Sequence, residues 1–98
     1  MNYQVLSILI PAYNEENTII NILDRVRAVN LIGGIQKEII VINDCSRDKT
    51  KSFIDEYIKN HPGENIRLLN QEVNQGKGAA LHRGIGIVTG KQIGRAHV

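Results

Sequence analysis

The sequence predicts an α/β fold, a Rossmann-like three-layer arrangement of parallel strands in the order β-α-β-α-β-α. Apolar runs typical of strands buried on both faces alternate with segments whose apolar residues recur at helical spacing. Polar or glycine-rich residues follow each run, and open α/β sheets bind ligands at the carboxyl ends of their strands. We therefore expect these polar clusters to share one ligand crevice.

The predicted strands are the apolar runs Val5–Ile10, Ile39–Ile42 and Ile66–Asn70. Pro11 is expected to end the first strand, because proline has no N–H for the ladder. The third run is more mixed in polarity, as expected of an edge strand.

Helices are predicted after each strand. In the first, Asn14 is a candidate cap and acidic residues follow in the first turn. Asp48 is expected to cap the second helix, and Gly76–Thr89 forms the third, ended by Gly90. The predicted inward residues of the first two helices are Ile19, Ile22, Leu23, Val26, Val29, Phe53, Ile54, Tyr57 and Ile58.

Composition narrows the class of protein. The chain has 98 residues, 42% of them hydrophobic, which suits one small globular domain. A net charge of +2 and few aromatic residues argue against a nucleic-acid partner. Cys45 is the only cysteine, so an internal disulfide and a zinc cluster are excluded, and a turn residue is favoured over a nucleophile. Neither a basic signal region nor an apolar run of about 20 residues occurs, which predicts a cytoplasmic location.

Asp44 is the strongest single candidate for ligand binding. A carboxylate at the end of a buried strand can accept N–H donors from a flat ring, and uracil and guanine offer such donors. The alternative is that Asp44 only closes the turn, as Asp residues often do. For the neighbouring Asn43, binding a ligand and satisfying the backbone remain equally open.

The segment after the first strand also carries candidate contacts. Stiffening of the chain at Pro11 leaves the carbonyls of Pro11 and Ala12 available as acceptors. Tyr13 offers an aromatic face to a base, and Glu15 offers a carboxylate to a ribose diol. The alternative for Glu15 is favourable placement of an acid at a helix N-terminus.

The third cluster, Gly76-Lys77-Gly78, opens the predicted third helix. Glycine lets the backbone approach an anion, free N–H groups there favour phosphate, and Lys77 adds a positive charge. The spacing matches neither a Walker A loop nor the dinucleotide-binding glycine pattern after the first strand. Arg83 could also reach a phosphate, although a solvated helix face is the simpler interpretation.

Together, the segments ILIPAYNEENTI, EIIVINDCSRDKT and NQGKGAALHRGI resemble the N-terminal part of family 2 glycosyltransferases with the GT-A fold. The resemblance is greatest to the dolichyl- or undecaprenyl-phosphate sugar transferases. It covers Val5 to Gly90. The family usually has Asp-Asp-Gly-Ser where this chain has Asn43-Asp44-Cys45-Ser46, so the second Asp is kept as Asp44 and the first is replaced by Asn43.

The resemblance implies inverting transfer of a sugar from a UDP- or GDP-linked donor to an acceptor such as a polyprenyl phosphate or a glycan, as in the synthesis of cell-envelope polysaccharides. It assigns nucleotide binding to Pro11, Ala12, Tyr13, Glu15, Asp44, Gly76 and Lys77. In the complete enzyme it also implies Mg²⁺ or Mn²⁺ held by an Asp-x-Asp motif, and a later carboxylate as general base. Membrane association would be encoded beyond residue 98.

No Asp or Glu occurs after Glu72, so neither the metal motif nor the base is present in the sequence. We expect residues 1–91 to be a truncated nucleotide-sugar-binding domain, inactive alone. Residues 92–98 are expected to be a non-native tail, because codons for Ile93–Val98 can match a sequencing adapter. Without a fourth strand, Val5–Ile10 would have an open edge that favours self-association. The alternative function is a small nucleotide-binding module without catalysis.

Overall fold

The computed structural model describes residues 5–31, 33 and 35–72, and the backbone of residues 92–95. Its elements are β1 (Val5–Ala12), α1 (Ile19–Ala28), β2 (Gln36–Asp44), α2 (Thr50–Asn60), β3 (Ile66–Gln71) and β4 (Gln92–Arg95). The strands form one parallel sheet in the order β3-β2-β1-β4. The Rossmann-like α/β class and the edge position of the third strand are confirmed. The predicted third helix lies outside the described residues.

The main core lies between one face of the sheet and helices α1 and α2. Alternate residues of each strand point to this face, since side chains alternate along a strand. Its buried members are Ile10, Ala12, Ile19, Leu23, Ile39, Val41, Ile54, Tyr57 and Ile66. The prediction that Val29 faces inward is wrong. Val29 is 50% exposed, because α1 ends one residue earlier, at Ala28.

The opposite face of the sheet is also buried. Leu9, Ile40 and Ile42 have no exposed surface. Toward the start of the strands, the same face carries the buried carboxylate of Glu38. The Ser7 hydroxyl donates to Glu38 Oε1 at 3.0 Å, and Arg67 Nη2 lies 3.6 Å from the same oxygen. Hydrogen bonding and pairing offset the cost of burying this charge.

Pro11 does not end the first strand. Instead, β1 continues to Ala12, with Pro11 beside Ile42 and Ala12 beside Asn43. Proline lacks a donor but keeps its carbonyl acceptor, so the ladder loses a hydrogen bond only at that residue. The prediction of a strand end at Ile10 was therefore wrong by two residues.

The expectation of an open edge on β1 is also wrong. Gln92–Arg95, assigned from sequence to a non-native tail, form β4 and pair in parallel with residues 6–9. The apolar pattern gave no sign of this strand, because Ile93 is the one large apolar residue among its four residues. The basis for self-association through this edge is lost with it.

The C-terminus of α1 is held by a lysine from β2. Lys37 Nζ donates to the carbonyl oxygens of Val26, Arg27 and Val29 at 2.8, 2.5 and 2.6 Å. The last carbonyls of a helix have no partner within the helix, and a cation at that end is favoured by the helix dipole. Lys37 therefore fixes the end of α1 against the first residues of β2.

Replacing Lys37 with methionine should lower the free energy of unfolding by about 1–2 kcal/mol, because several carbonyls lose their donor. The matched control is Lys51→Met. Lys51 pairs with Asp55 at 2.8 Å on the exposed surface of α2, and its loss should cost less than about 0.5 kcal/mol. Urea unfolding monitored by circular dichroism measures both. Equal losses would contradict the assigned role of Lys37.

Candidate nucleotide-binding site

The carboxyl ends of β1, β2 and β3 meet at one edge of the sheet. Their register places Ala12 beside Asn43, and Asp44 beside Gln71. The exits of the first two strands, which the sequence predicts to share a crevice, are therefore adjacent. Gly76 and Lys77, the third predicted contribution, lie outside the described residues, as does Arg83.

The loops that follow β1 and β2 are joined by hydrogen bonds between residues 14–16 and 46–50, a set that we call the loop clasp. Its first part is reciprocal. The Asn14 N–H donates to Ser46 Oγ at 2.9 Å, and the Arg47 N–H donates back to Asn14 Oδ1 at 2.8 Å. The Asn14 side chain thus bonds to the other loop and does not cap α1, which begins at Ile19.

A second reciprocal pair completes the clasp. The Glu16 N–H donates to Asp48 Oδ2, and the Lys49 N–H donates to Glu16 Oε2, both at 3.2 Å. Between the two pairs, the Glu15 N–H donates to the hydroxyl of the buried Thr50 at 2.7 Å. The expectation that Glu15 and Glu16 occupy the first turn of α1 is wrong, because that turn contains no acidic residue.

Asp48 serves both the clasp and the start of α2. Its Oδ1 accepts hydrogen bonds from the N–H of Thr50, at 2.9 Å, and from the Thr50 hydroxyl. Asp48 thus binds the first N–H of the helix from the residue before its N-cap, Lys49. The predicted capping chemistry is present, displaced by one position.

Two residues of these loops have left-handed backbone conformations, Asn14 with φ 52° and Cys45 with φ 59°. Asn tolerates this region, but a Cβ there costs other residues roughly 1–2 kcal/mol. The resembled family usually has glycine at the position of Cys45. The Cys45 thiol donates to the carbonyl of Glu72 at 3.1 Å, consistent with its interpretation as a turn residue.

Two side-chain hydrogen bonds, each donated by an amide group and here called amide rungs, connect β2 and β3 at the carboxyl ends of the strands. Asn43 Nδ2 donates to Asn70 Oδ1 at 3.0 Å, and Asn43 Oδ1 accepts from the Ser46 N–H at 3.2 Å. One residue further, Gln71 Nε2 donates to Asp44 Oδ1 at 2.9 Å. The two alternatives for Asn43 were binding a ligand and satisfying the backbone. The structure shows the second, because the Asn43 side chain accepts the Ser46 N–H. Sequence reasoning missed Asn70 and Gln71, although polar residues at a strand end were the available signal.

The other residues predicted to contact the nucleotide differ in their exposure to solvent. Pro11 and Ala12 are buried within β1, whereas Tyr13 is 38% exposed. Glu15 is half-buried as a residue, and its carboxylate accepts from the Thr18 hydroxyl at 2.9 Å. On the loop that immediately follows β1, Tyr13 thus precedes the clasp, and Glu15 belongs to it through its N–H.

Within the part of the chain that the structure describes, no group of three or more His, Cys, Asp or Glu side chains could hold a metal ion. The same residues include no helix with the length and apolarity required to span a bilayer.

Two grooves lined by described residues lie away from the carboxyl ends of the strands. One, of about 430 Å³, lies between α1 and α2; the other, of about 540 Å³, lies near the start of β2.

Comparison with known families identifies the chain. The model of the family described as "Glycosyl transferase family 2" matches residues 7–96. The chain belongs to this family. A dolichyl-phosphate beta-glucosyltransferase of Trichomonas vaginalis is 41% identical over 95 residues, covering 90% of this chain and 28% of that protein. A poly-beta-1,6-N-acetyl-D-glucosamine synthase of Staphylococcus epidermidis is 40% identical over 80 residues, covering 82% of this chain and 18% of that protein.

Solved structures of glycosyltransferases share the fold. A mannosyltransferase from Pyrobaculum calidifontis, in complex with GDP-Man and Mn²⁺, matches with a TM-score of 0.83 and 25% identity, over 90% of this chain and 25% of that one. Staphylococcus aureus TarS, at 22% identity, matches with a TM-score of 0.81 over 94% of this chain and 26% of that one. The fold is thus that of GT-A glycosyltransferases. The chain spans about a quarter of the length of its relatives.

Asp48 makes the stability of this family 2 domain depend on pH. Partial burial tends to raise the pKa of its carboxyl. Hydrogen bonds from the Thr50 hydroxyl and from the N–H groups of Thr50 and Glu16 outweigh this effect, and the pKa is lowered. The ionised form therefore stabilises the fold above the ordinary value of 3.8, and this contribution is lost as the pH falls through the lowered folded-state pKa.

We expect Asp48→Asn to lower the free energy of unfolding by about 1 kcal/mol at pH 7, because an amide cannot accept hydrogen bonds at both positions. The free-energy difference between the variant and the native chain should shrink when urea unfolding is repeated at about pH 3, because below the ordinary value of 3.8 the carboxyl of the unfolded chain binds a proton more readily than that of the folded chain. An unchanged difference at the two pH values would contradict this role for the Asp48 carboxylate.

Proposed function

We propose that this chain is the nucleotide-binding part of an inverting glycosyltransferase, which transfers a sugar from a UDP- or GDP-sugar to a polyprenyl phosphate or a glycan. Family membership supports the reaction class. The names of the relatives support the acceptors, since they include enzymes of dolichyl phosphate and of a poly-N-acetylglucosamine. The carrying observation is the buried carboxylate of Asp44 at the edge where the strand ends meet.

Asp44 would read the base of the donor. Asp44 is 3% exposed and is the last residue of β2, beside the exit of β1. A carboxylate only accepts hydrogen bonds, so it is complementary to the ring N–H of uracil or guanine. Cytosine and adenine instead have an unprotonated ring nitrogen at that place, which repels a carboxylate. We therefore assign to Asp44 selection for bases that carry a ring N–H.

The loop after β1 would hold the rest of the nucleoside. We assign Tyr13 to the face of the base, Glu15 to the ribose diol, and the carbonyls of Pro11 and Ala12 to acceptor roles. The loop clasp supports this assignment, because it fixes residues 14–16 relative to the loop that follows Asp44. Gly76 and Lys77 are proposed, from sequence alone, to bind the diphosphate.

A divalent cation, Mg²⁺ or Mn²⁺, is proposed for the complete enzyme, where it would neutralise the leaving diphosphate. The complex of the mannosyltransferase with GDP-Man and Mn²⁺ supports this. No cluster of ligands for the ion occurs among the side chains that the structure describes, so we assign it no residue of this chain. Because the sequence has no Asp or Glu after Glu72, we propose that the chain binds nucleotide without transferring sugar by itself.

The complete protein is proposed to act in the cytoplasm, and at a membrane if its acceptor is a polyprenyl phosphate; the relatives named for dolichyl phosphate support this. For residues 92–98, a non-native origin remains a proposal that sequencing of the genomic locus would test. An uninterrupted frame through these codons would refute it. The proposal concerns the origin of the residues and is independent of their pairing as β4.

Calorimetric titration of the chain with UDP, GDP, CDP and ADP, with and without Mn²⁺, tests the proposed base selection. We expect UDP or GDP to bind at least about tenfold more tightly than CDP and ADP, because only the former present a ring N–H to Asp44. Asp44→Asn should reduce this preference by about tenfold, since an amide can also donate to an unprotonated ring nitrogen.

The matched control for this experiment is Asp55→Asn, the same chemical change on the exposed surface of α2. It should leave all nucleotide affinities unchanged. If CDP bound as tightly as both UDP and GDP, or if no nucleotide bound, the proposed function would be contradicted.

A further inference from the structure

The carboxylate of Asp44 receives a hydrogen bond from a buried amide on the neighbouring strand. Gln71 Nε2 donates to Asp44 Oδ1 at 2.9 Å, and the exposed fractions of the two residues are 6% and 3%. Burying a glutamine is costly unless its amide is hydrogen-bonded. The presence of Gln71 at this position therefore calls for a reason beyond strand pairing, which an apolar residue would serve equally well.

The pleat of the sheet separates this pair from the other rung at the same edge. Asp44 and Gln71 are direct register partners, and so are Asn43 and Asn70. Because side chains alternate along strands, the two rungs lie on opposite faces of the sheet. The Asn43 rung lies on the face packed against α1 and α2, and it closes the turn through Ser46. The Gln71 rung lies on the other face and contacts the residue to which we assign base recognition.

We propose that Gln71 is a positioning residue for recognition of the nucleobase. Its hydrogen bond to Oδ1 fixes the rotation of the Asp44 carboxylate about the Cβ–Cγ bond. That rotation sets the direction from which the carboxylate accepts the ring N–H of uracil or guanine. This inference rests on the proposed function of Asp44, and it adds a residue that determines how sharply the base is discriminated.

The chemistry of an amide suits this role better than that of a cation. An arginine or lysine in place of Gln71 would form an ion pair with Asp44 and compete with the incoming base for its negative charge. The neutral Gln71 amide orients the carboxylate but leaves its charge in place. In a buried setting the hydrogen bond is also stronger than it would be in water, so it can hold one rotamer.

The first test compares Gln71→Met with Asn70→Leu. Each substitution removes one amide rung between the same strands while nearly conserving side-chain volume. Calorimetry gives the ratio of the dissociation constants of CDP and UDP, and of ADP and GDP. Gln71→Met should reduce the larger of these ratios by about tenfold, whereas Asn70→Leu should leave it unchanged.

A structural role for Gln71 would instead weaken all nucleotides equally, without changing the ratio. If Gln71→Met kept the native ratio to within about twofold, the inference would be overturned. Absence of base preference in the unmodified chain would overturn the proposed function of Asp44, and the inference with it. If the native base preference is retained in Gln71→Met, the inference about Gln71 is overturned, whereas the proposed function of Asp44 stands.

The second test uses Gln71→Glu, so that the inference can be tested even if the methionine variant does not fold. Two adjacent carboxyl groups share a proton, and the protonated carboxyl introduced by this substitution can donate to Asp44 as the amide does. We expect the base preference of this variant to approach that of the native chain at about pH 5 and to fall by about tenfold at about pH 8, where the carboxylates repel. A preference that is the same at both pH values would overturn the inference.

Discussion

The hydrogen bonds of the loop clasp are the constraint on which the candidate site depends. Parallel pairing brings the ends of β1 and β2 together, but it does not determine the course of the loops that leave them. Asn14 and Glu16 each exchange two hydrogen bonds with the loop after β2, and Thr50 receives the N–H between them. Five backbone N–H groups, those of residues 14–16, 47 and 49, thereby donate to side-chain oxygens of the other segment.

This arrangement couples the helices to the site. Asp48 binds the N–H of Thr50 at the start of α2 and that of Glu16 in the other loop, so the position of the helix and the position of Glu15 are linked. The core packing of Ile54 and Tyr57 then holds α2 against the sheet. Hydrophobic packing remote from the crevice therefore helps to set the geometry of the polar loops, as is usual for sites built on rigid elements.

The apolar patterns predicted the fold well, because burial on both faces of a parallel sheet produces continuous apolar runs. Asn14 and Glu16 were assigned to α1 because their tertiary partners lie more than thirty residues away, and local patterns cannot show such partners. The pairing of Gln71 with Asp44 required the register of β2 and β3. The four residues of β4 include one large apolar side chain, Ile93, which is too few to give a periodic pattern.

The location of nucleotide binding tests the account most directly, and two-dimensional NMR of the isotopically labelled chain titrated with UDP and GDP measures it. The amide signals of residues 13–16 and 44–48 should show the largest chemical-shift changes among the described residues. Those of Asp24, Glu56 and Asn60, which line the groove between α1 and α2, should remain in place. Changes centred on that groove, with none at the carboxyl ends of β1 and β2, would contradict the account.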